Sequence, residues 1–208
     1  MTKPTPRPGP ARLRERFFDA TTPEGRQAGK IRIDTARMDA KGALQVGYFT
    51  SFTGALKTRG QVYVGKYGAI GDNCRMIASS HDSQAMNLSI RLRRELGLPG
   101  GGHTKGPIRV GHNVWMGDSV SIMSGVTVGN GAILAAGSVV TRDVPDFAIW
   151  GGVPARHLRW RFSESVRRQM AEVAWWHWPW ARILRNKALL DLRIGPEDEI
   201  DLAEIVVD

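Results

Sequence analysis

The chain has 208 residues, 42% of them hydrophobic and 24% charged, with a formal net charge of +9. This length suits one domain with appendages, the lone cysteine, Cys74, excludes an intrachain disulfide, and no apolar run approaches the roughly 20 residues of a membrane span. The charge is uneven: residues 1–30 hold seven Lys/Arg against three acids, residues 191–208 one Arg against seven acids, and the body between is basic. A basic body suits nucleic acid, an anionic membrane surface or an anionic small ligand. The chain shows no zinc-finger spacing and no aromatic RNA-binding signature, so no nucleic-acid partner is expected.

The first ten residues contain four prolines and read as extended. ARLRERFFDA (11–20) reads as a short helix with Leu13, Phe17 and Phe18 on one side. The opening stretch is charged and lacks the apolar core of a secretory leader, so a cytoplasmic location is the default expectation. Residues 21–45 give a weak signal, with Ile31 and Ile33 alternating as in a strand.

From Val46 the chain falls into blocks of six. Hydrophobic openers stand at 46, 52, 64, 70 and 76, with Thr58 marking an irregular rung. The frame restarts at Val110 and runs without interruption: VGHNVW, MGDSVS, IMSGVT, VGNGAI, LAAGSV, VTRDV. Small or β-branched residues follow at 114, 120, 126, 132, 138 and 144. A fixed period signals a repeat architecture, and six residues suit one flat face and a corner, with three blocks to a triangular turn. Gly111, Gly117 and Gly129, second in their blocks, are expected to relieve strained corner backbone. Cys74, fifth in its block, reads as a buried core thiol.

Between the two runs, residues 82–107 lack the period. They hold a helix-like NLSIRLRREL and a glycine-rich return, LPGGGHTKGP, and a long excursion from a rigid scaffold is a common place for binding chemistry. After Val144 the repeat stops at Pro145. A helix is expected from Ser163, an N-cap residue with Glu164 in the first turn. A second is expected over WPWARILRNKALLDL, with Pro179 near its start.

No serine-nucleophile elbow, P-loop, dinucleotide fingerprint or Cys/His metal spacing occurs, so no metal is expected. His103 and His112 have no metal spacing with His81. The residue with a telling position is His81, the last of its block, at the mouth of the excursion, after Ser79-Ser80 and before Asp82. A lone His is commonly structural; here the position also allows chemistry.

The six-residue blocks resemble those of the hexapeptide-repeat acyltransferases, over roughly residues 46–190. Arg161-Phe162-Ser163 followed by Trp175-Trp176-His177-Trp178-Pro179 resembles the xenobiotic branch, which includes the streptogramin and type-B chloramphenicol acetyltransferases. The resemblance implies a mainly β fold: a left-handed parallel β-helix with an excursion loop and C-terminal α-helices. It divides the chain into a basic N-terminal tail and short helix (1–30), a β-helix (31–150) with an inserted loop (82–107), a C-terminal helical cap (151–190) and an acidic tail (191–208). The tryptophans are expected to anchor the helices to the coil base.

It also implies acetyl-CoA as co-substrate and His81 as general base, because imidazole, with an ordinary pKa near ~6.5, takes up a proton at neutral pH. The Asp118 backbone amide becomes the oxyanion candidate, against a plain corner role. Trp115, too large for the interior, would wall the acetyl or pantetheine slot. Ala135, Ala136, Gly137, Thr141, Arg142 and Arg156 would contact CoA, with Arg156 toward its phosphates. A homotrimer with sites between subunits is implied.

The branch's Tyr-Pro-Phe element after the catalytic His is missing here. The acceptor therefore stays open among a sugar or polysaccharide hydroxyl, a sugar amine and an antibiotic. A non-catalytic β-helix scaffold is the competing reading.

Overall fold

In the computed structural model, residues 17–100 and 102–208 are described. The six-residue blocks wind into a parallel β-solenoid with three flat faces. Face I stacks Leu44–Val46, Val62–Val64, Ile108–Val110 and Thr127–Val128. Face II stacks Ser51–Phe52, Ala69–Ile70, Trp115–Met116, Ile133–Leu134 and Ala148–Gly152. Face III stacks Met38–Lys41, Leu56–Arg59, Cys74–Ile77, Ser121–Met123 and Val139–Val140.

The block openers fill the interior in vertical columns. Val46, Val64, Val110, Val128 and Val144 stack under face I, and Phe52, Ile70, Met116 and Leu134 under face II. All are buried. Each such aliphatic side chain contributes about 1.5–3 kcal/mol by leaving water. Thr58 holds its place in the third column, over Met76 and below Ala40, so the irregular rung is a chemical exception and not a geometric one. Its hydroxyl is buried without a hydrogen-bond partner among the described residues.

The corner glycines act differently from the expectation. Gly111, Gly117 and Gly129 do not have positive φ. A Cβ on Gly117 would stand 2.7 Å from the Ala136 amide nitrogen of the next rung, so this position is small because stacked backbones meet there. The left-handed conformation falls two residues later, at Asn113, Ser119, Gly125, Gly131 and Gly137. Asn and Gly suit that conformation.

The solenoid starts upstream of the recognisable repeat. Arg32 bridges Ser51, and Met38–Lys41 is a full rung of face III. The helix expected over 11–20 lies partly outside the described residues; its end, Phe18–Asp19, is instead a strand antiparallel to Leu44–Val46. The first helix among the described residues, α1, is Pro23–Gly29, capped by the Thr22 hydroxyl.

Residues 78–107 leave the coil between adjacent rungs of faces III and I without disturbing the register, since Val110 still pairs with Val64. The excursion has a two-stranded stem, Ser80–His81 against Gly102–His103, and a short helix, α2, Ile90–Glu95.

Downstream, Ala148–Gly152 turns into an antiparallel partner, Ala155–Trp160, so the segment after 150 begins as a hairpin and not as a helical cap. Helix α3, Glu164–Val173, follows with Ser163 as its cap. The single helix expected next is two, α4 (Trp180–Arg185) and α5 (Lys187–Asp191). They break at Asn186, whose buried amide donates to the carbonyls of Arg182 and Val207 and accepts the Val207 N–H. The acidic tail is therefore docked: Leu202 is fully buried and Gln169 of α3 holds Ile200 and Leu202.

The cap does not sit at the coil base. Trp175, Trp176, Phe147 and Phe162 form a second apolar cluster along the corner between faces I and II. Trp175 lies against Tyr67, Trp176 stacks on His112 and Trp180 on Phe49. The cap thus spans successive rungs. No helix among the described residues is long and apolar enough to cross a membrane.

Replacing the unpartnered hydroxyl should stabilise the coil. Thr58→Val is expected to raise the unfolding free energy by about 1 kcal/mol, read from chemical denaturation; a loss of stability would contradict the burial assigned to Thr58.

Candidate functional site

With the I–II corner covered, two corners remain open, both bordering face III. The III–I corner carries the excursion and the II–III corner carries a column of short turns.

His81 belongs to the III–I corner. It is exposed, and its backbone is paired with Gly102 across the stem. Its Nδ1 lies 2.7 Å from the Leu88 carbonyl oxygen. A carbonyl only accepts, so Nδ1 carries a proton, and in the neutral ring the lone pair is then on Nε2. The Leu88 carbonyl is itself steadied: the Asn87 carboxamide oxygen accepts the Ser89 N–H at 2.9 Å, and the Ser89 hydroxyl caps α2. Asp82 accepts the Gln84 N–H and makes no hydrogen bond to the imidazole among the described residues. The orienting group is a backbone carbonyl seven residues on, which a search for side-chain motifs could not find.

Thr141 and Arg142 lie at the same corner. Ser121 pairs with Val139, which puts Arg142 one rung beyond Ser124. Both are exposed.

The remaining candidates gather at or beside the II–III corner. Trp115 pairs with Ala69 and Ile133, and its side chain points outward, 56% exposed. Asp118 stands at the turn below it. Its carboxylate accepts the Asp72 N–H at 2.8 Å, and Asp72 in turn accepts the Ala55 N–H at 2.6 Å and pairs with Arg37. The Ala55 amide, followed by the Asn73 amide and Arg37, holds the Asp72 carboxyl below the usual carboxylate range. The Asp118 side chain thus has a scaffold role, while its own amide makes no hydrogen bond among the described residues. Ala136 and Gly137 form the next rung of this corner and are exposed, with Ala135 half-buried beside them. The Ser138 hydroxyl accepts the Gly152 N–H, drawing the exit hairpin to the same edge. Arg156, opposite Gly151 in that hairpin, is exposed.

The candidates therefore form two groups. His81, Thr141 and Arg142 border one edge of face III; Trp115, Asp118, Ala135, Ala136, Gly137 and Arg156 gather near the other. Strands such as Cys74–Ile77 separate the edges, and four residues at ~3.3 Å each make the face about 13 Å wide. Within one chain the Asp118 amide does not meet His81. The register across the excursion contains this result: Met76 pairs with Ile122, so Asp118 stacks on Asp72, which lies half a turn before His81.

His112 is elsewhere again, buried at the I–II corner, where its Nδ1 accepts the Lys66 N–H at 2.9 Å. It is a core histidine under the cap. His103 stands on the stem opposite Ser80.

Residues 107–142 match the family described as bacterial transferase hexapeptide (six repeats). A probable macrolide acetyltransferase of Lysinibacillus sphaericus is 37% identical over 45% of this chain and 52% of its own length. A chloramphenicol acetyltransferase of Morganella morganii is 39% identical over 41% of this chain and 40% of its own. The chain thus spans about half the length, or less, of these curated relatives. Among solved structures, a hexapeptide-repeat-containing acetyltransferase of Vibrio cholerae superposes with a TM-score of 0.50 at 26% identity, covering 63% of this chain and 70% of that one. Residues 107–142 thus carry the repeat of the bacterial hexapeptide transferases, and the fold is similar to that of the Vibrio cholerae acetyltransferase.

Cys74 is buried in the core, with its thiol toward the Gly117 carbonyl. Burial pushes the thiol from its ordinary 9.0 up to about 11, so little nucleophilic thiolate forms near neutral pH. Between those values the unfolded chain ionises while the native one resists, so stability should fall as pH rises above about 9. At pH 8 the native protein is expected to resist a thiol-specific disulfide reagent, whereas the guanidinium-unfolded chain reacts with one equivalent. Fast stoichiometric labelling of the native protein would contradict this burial.

Proposed function

We propose that the protein transfers the acetyl group of acetyl-CoA to a hydroxyl or amine of a small molecule, with His81 as general base. The observation that carries the reading is the His81–Leu88 hydrogen bond. It fixes the ring through Nδ1 and leaves Nε2 as the nitrogen that can act as base, at the mouth of the excursion.

In the reaction, Nε2 removes the proton of the acceptor O–H or N–H as that atom attacks the thioester carbonyl carbon. The tetrahedral species collapses, the carbon–sulfur bond breaks, and the departing thiolate takes the proton back from the imidazolium. No acyl-enzyme forms, consistent with the inert Cys74. Developing negative charge on the carbonyl oxygen needs a fixed donor, and the Asp118 amide is the candidate for it. The II–III corner would receive CoA: Ala135, Ala136 and Gly137 leave room for the pantetheine arm, Trp115 walls it, and Arg156 suits a phosphate through its planar fork. Thr141 and Arg142 would contact CoA from the other edge.

The separation of the two groups supports a site assembled from two copies, with His81 of one copy facing the II–III corner of a neighbour. A cyclic homotrimer meets this need, since each copy offers both edges. The excursion supports the same reading. Met86, Leu88, Leu92, Leu96 and Leu98 are all exposed in the single chain, and α2 buries none of its residues, an arrangement that calls for a covering surface. The relatives named for macrolide and chloramphenicol acetylation make an antibiotic hydroxyl one acceptor class to test beside sugars and polysaccharides. A cytoplasmic location fits acetyl-CoA supply.

Thiol release from acetyl-CoA should depend on acceptor when sugars, amino sugars, chloramphenicol and macrolides are screened. His81→Ala is expected to lower that turnover about 100- to 10,000-fold, with melting temperature and oligomer size unchanged. Unchanged turnover would overturn the assignment of the base.

A further inference from the structure

The stem that holds His81 rises from a node of two hydroxyls on one carbonyl. Ala78 is the first residue of the excursion. Its N–H donates to the Arg59 carbonyl of the preceding rung, and its side chain is buried. Its carbonyl oxygen accepts from the Thr104 hydroxyl at 2.6 Å and the Ser124 hydroxyl at 2.8 Å. Thr104 lies on the returning leg of the excursion and Ser124 on the next rung of the coil.

Both hydroxyls also accept a backbone N–H. Each has one proton and two lone pairs. With the protons on Ala78, Thr104 Oγ1 accepts the Gly106 N–H at 3.0 Å and Ser124 Oγ accepts the Lys105 N–H at 2.8 Å. Gly106 then accepts the Gly125 N–H at 3.1 Å. Departing leg, returning leg and coil are thus joined at one point.

The ladder begins just above it. Ser80 pairs with His103 and His81 with Gly102. His81 is three residues from Ala78 on one leg, and Gly102 two residues from Thr104 on the other. The rest of the excursion has little to hold it, since α2 buries nothing.

We infer that Thr104 and Ser124 are positioning residues for His81: their shared clamp on the Ala78 carbonyl sets the stem, and through it the place of the imidazole. The inference rests on the acetyltransferase reading for its kinetic consequence, but not for its structural one. A threonine in a glycine-rich loop and a serine in an ordinary repeat block carry no motif, and the excursion separates them in sequence. Only the fold brings their hydroxyls together.

The test compares full-length Thr104→Val, which keeps shape and loses the hydroxyl, with Thr104→Ser, which restores it, and places Thr104→Val in a His81→Ala background as well. Because misplacement of a catalytic group by about 1 Å costs roughly 100-fold, Thr104→Val should lower kcat about 10- to 100-fold. Its KM for acetyl-CoA should stay within about twofold of the parent, and no further loss should appear in the His81→Ala background. Thr104→Ser should recover most of the rate. Hydrogen exchange at Ser80, His81, Gly102 and His103 should quicken in Thr104→Val and return toward parent values in Thr104→Ser. If Thr104→Val melts well below the parent, Ser124→Ala, which leaves the Thr104 bond in place, is read in the same way. Parent kcat and parent exchange in Thr104→Val would overturn the inference, as would a full additional loss in the His81→Ala background. Retained turnover in His81→Ala alone would sink the base assignment, while faster stem exchange in Thr104→Val would still support the clamp.

Discussion

The structure depends on one contact repeated along its length: backbone meeting backbone where one rung lies on the next. At Gly117 a side-chain carbon would stand 2.7 Å from the amide of Ala136. This closeness lets the amides of each turn bond to carbonyls of the next, as Gly117 does to Leu134 and Ser121 to Ser138. It also keeps openers in columns, so that Val46, Val64, Val110 and Val128 lie one above another despite the excursion between the second and third. A solenoid held this way is rigid along its axis and contacts only its neighbours at each level. Chemistry therefore has to be placed on its corners.

The three corners are used differently. One is given to the C-terminal cap, where Trp175 and Trp176 cover Tyr67 and His112. The other two stay open, and every candidate functional residue lies at or beside one of them. His81 is held at one by its stem and by the Leu88 carbonyl. Trp115, Asp118 and Ala136 line the other. The width of face III between them explains why the proposed reaction needs a second copy. The helical cap fits this division, since it closes the one corner that the proposed chemistry does not use.

Much of this was legible in the residues. The six-residue frame locates the buried columns, and the break between Met76 and Val110 marks the excursion with His81 at its mouth. Other features were hidden for physical reasons. Glycine tolerates both positive φ and close approach, so Gly117 alone does not say which is needed; the fourth position, occupied by Asn113, Ser119 and Gly131, reveals that the strained conformation lies there. The helix break at Asn186 depends on Val207, a distant residue that no local pattern includes. The clamp of Thr104 and Ser124 on Ala78 joins a non-periodic loop to a periodic coil, and periodicity says nothing of such a contact.

The claim that the site is shared between copies can be tested by mixing two defective chains. One carries His81→Ala. The other carries Ala136→Arg, which places a bulky side chain on the exposed II–III corner and leaves the core untouched. Each alone should be nearly inactive. After unfolding together and reassembly at equal amounts, random trimers should regain about a quarter of the parent activity, because one interface in four pairs an intact His81 with an intact corner. No recovery in well-folded mixed trimers would contradict the shared site and return the whole reaction to a single chain.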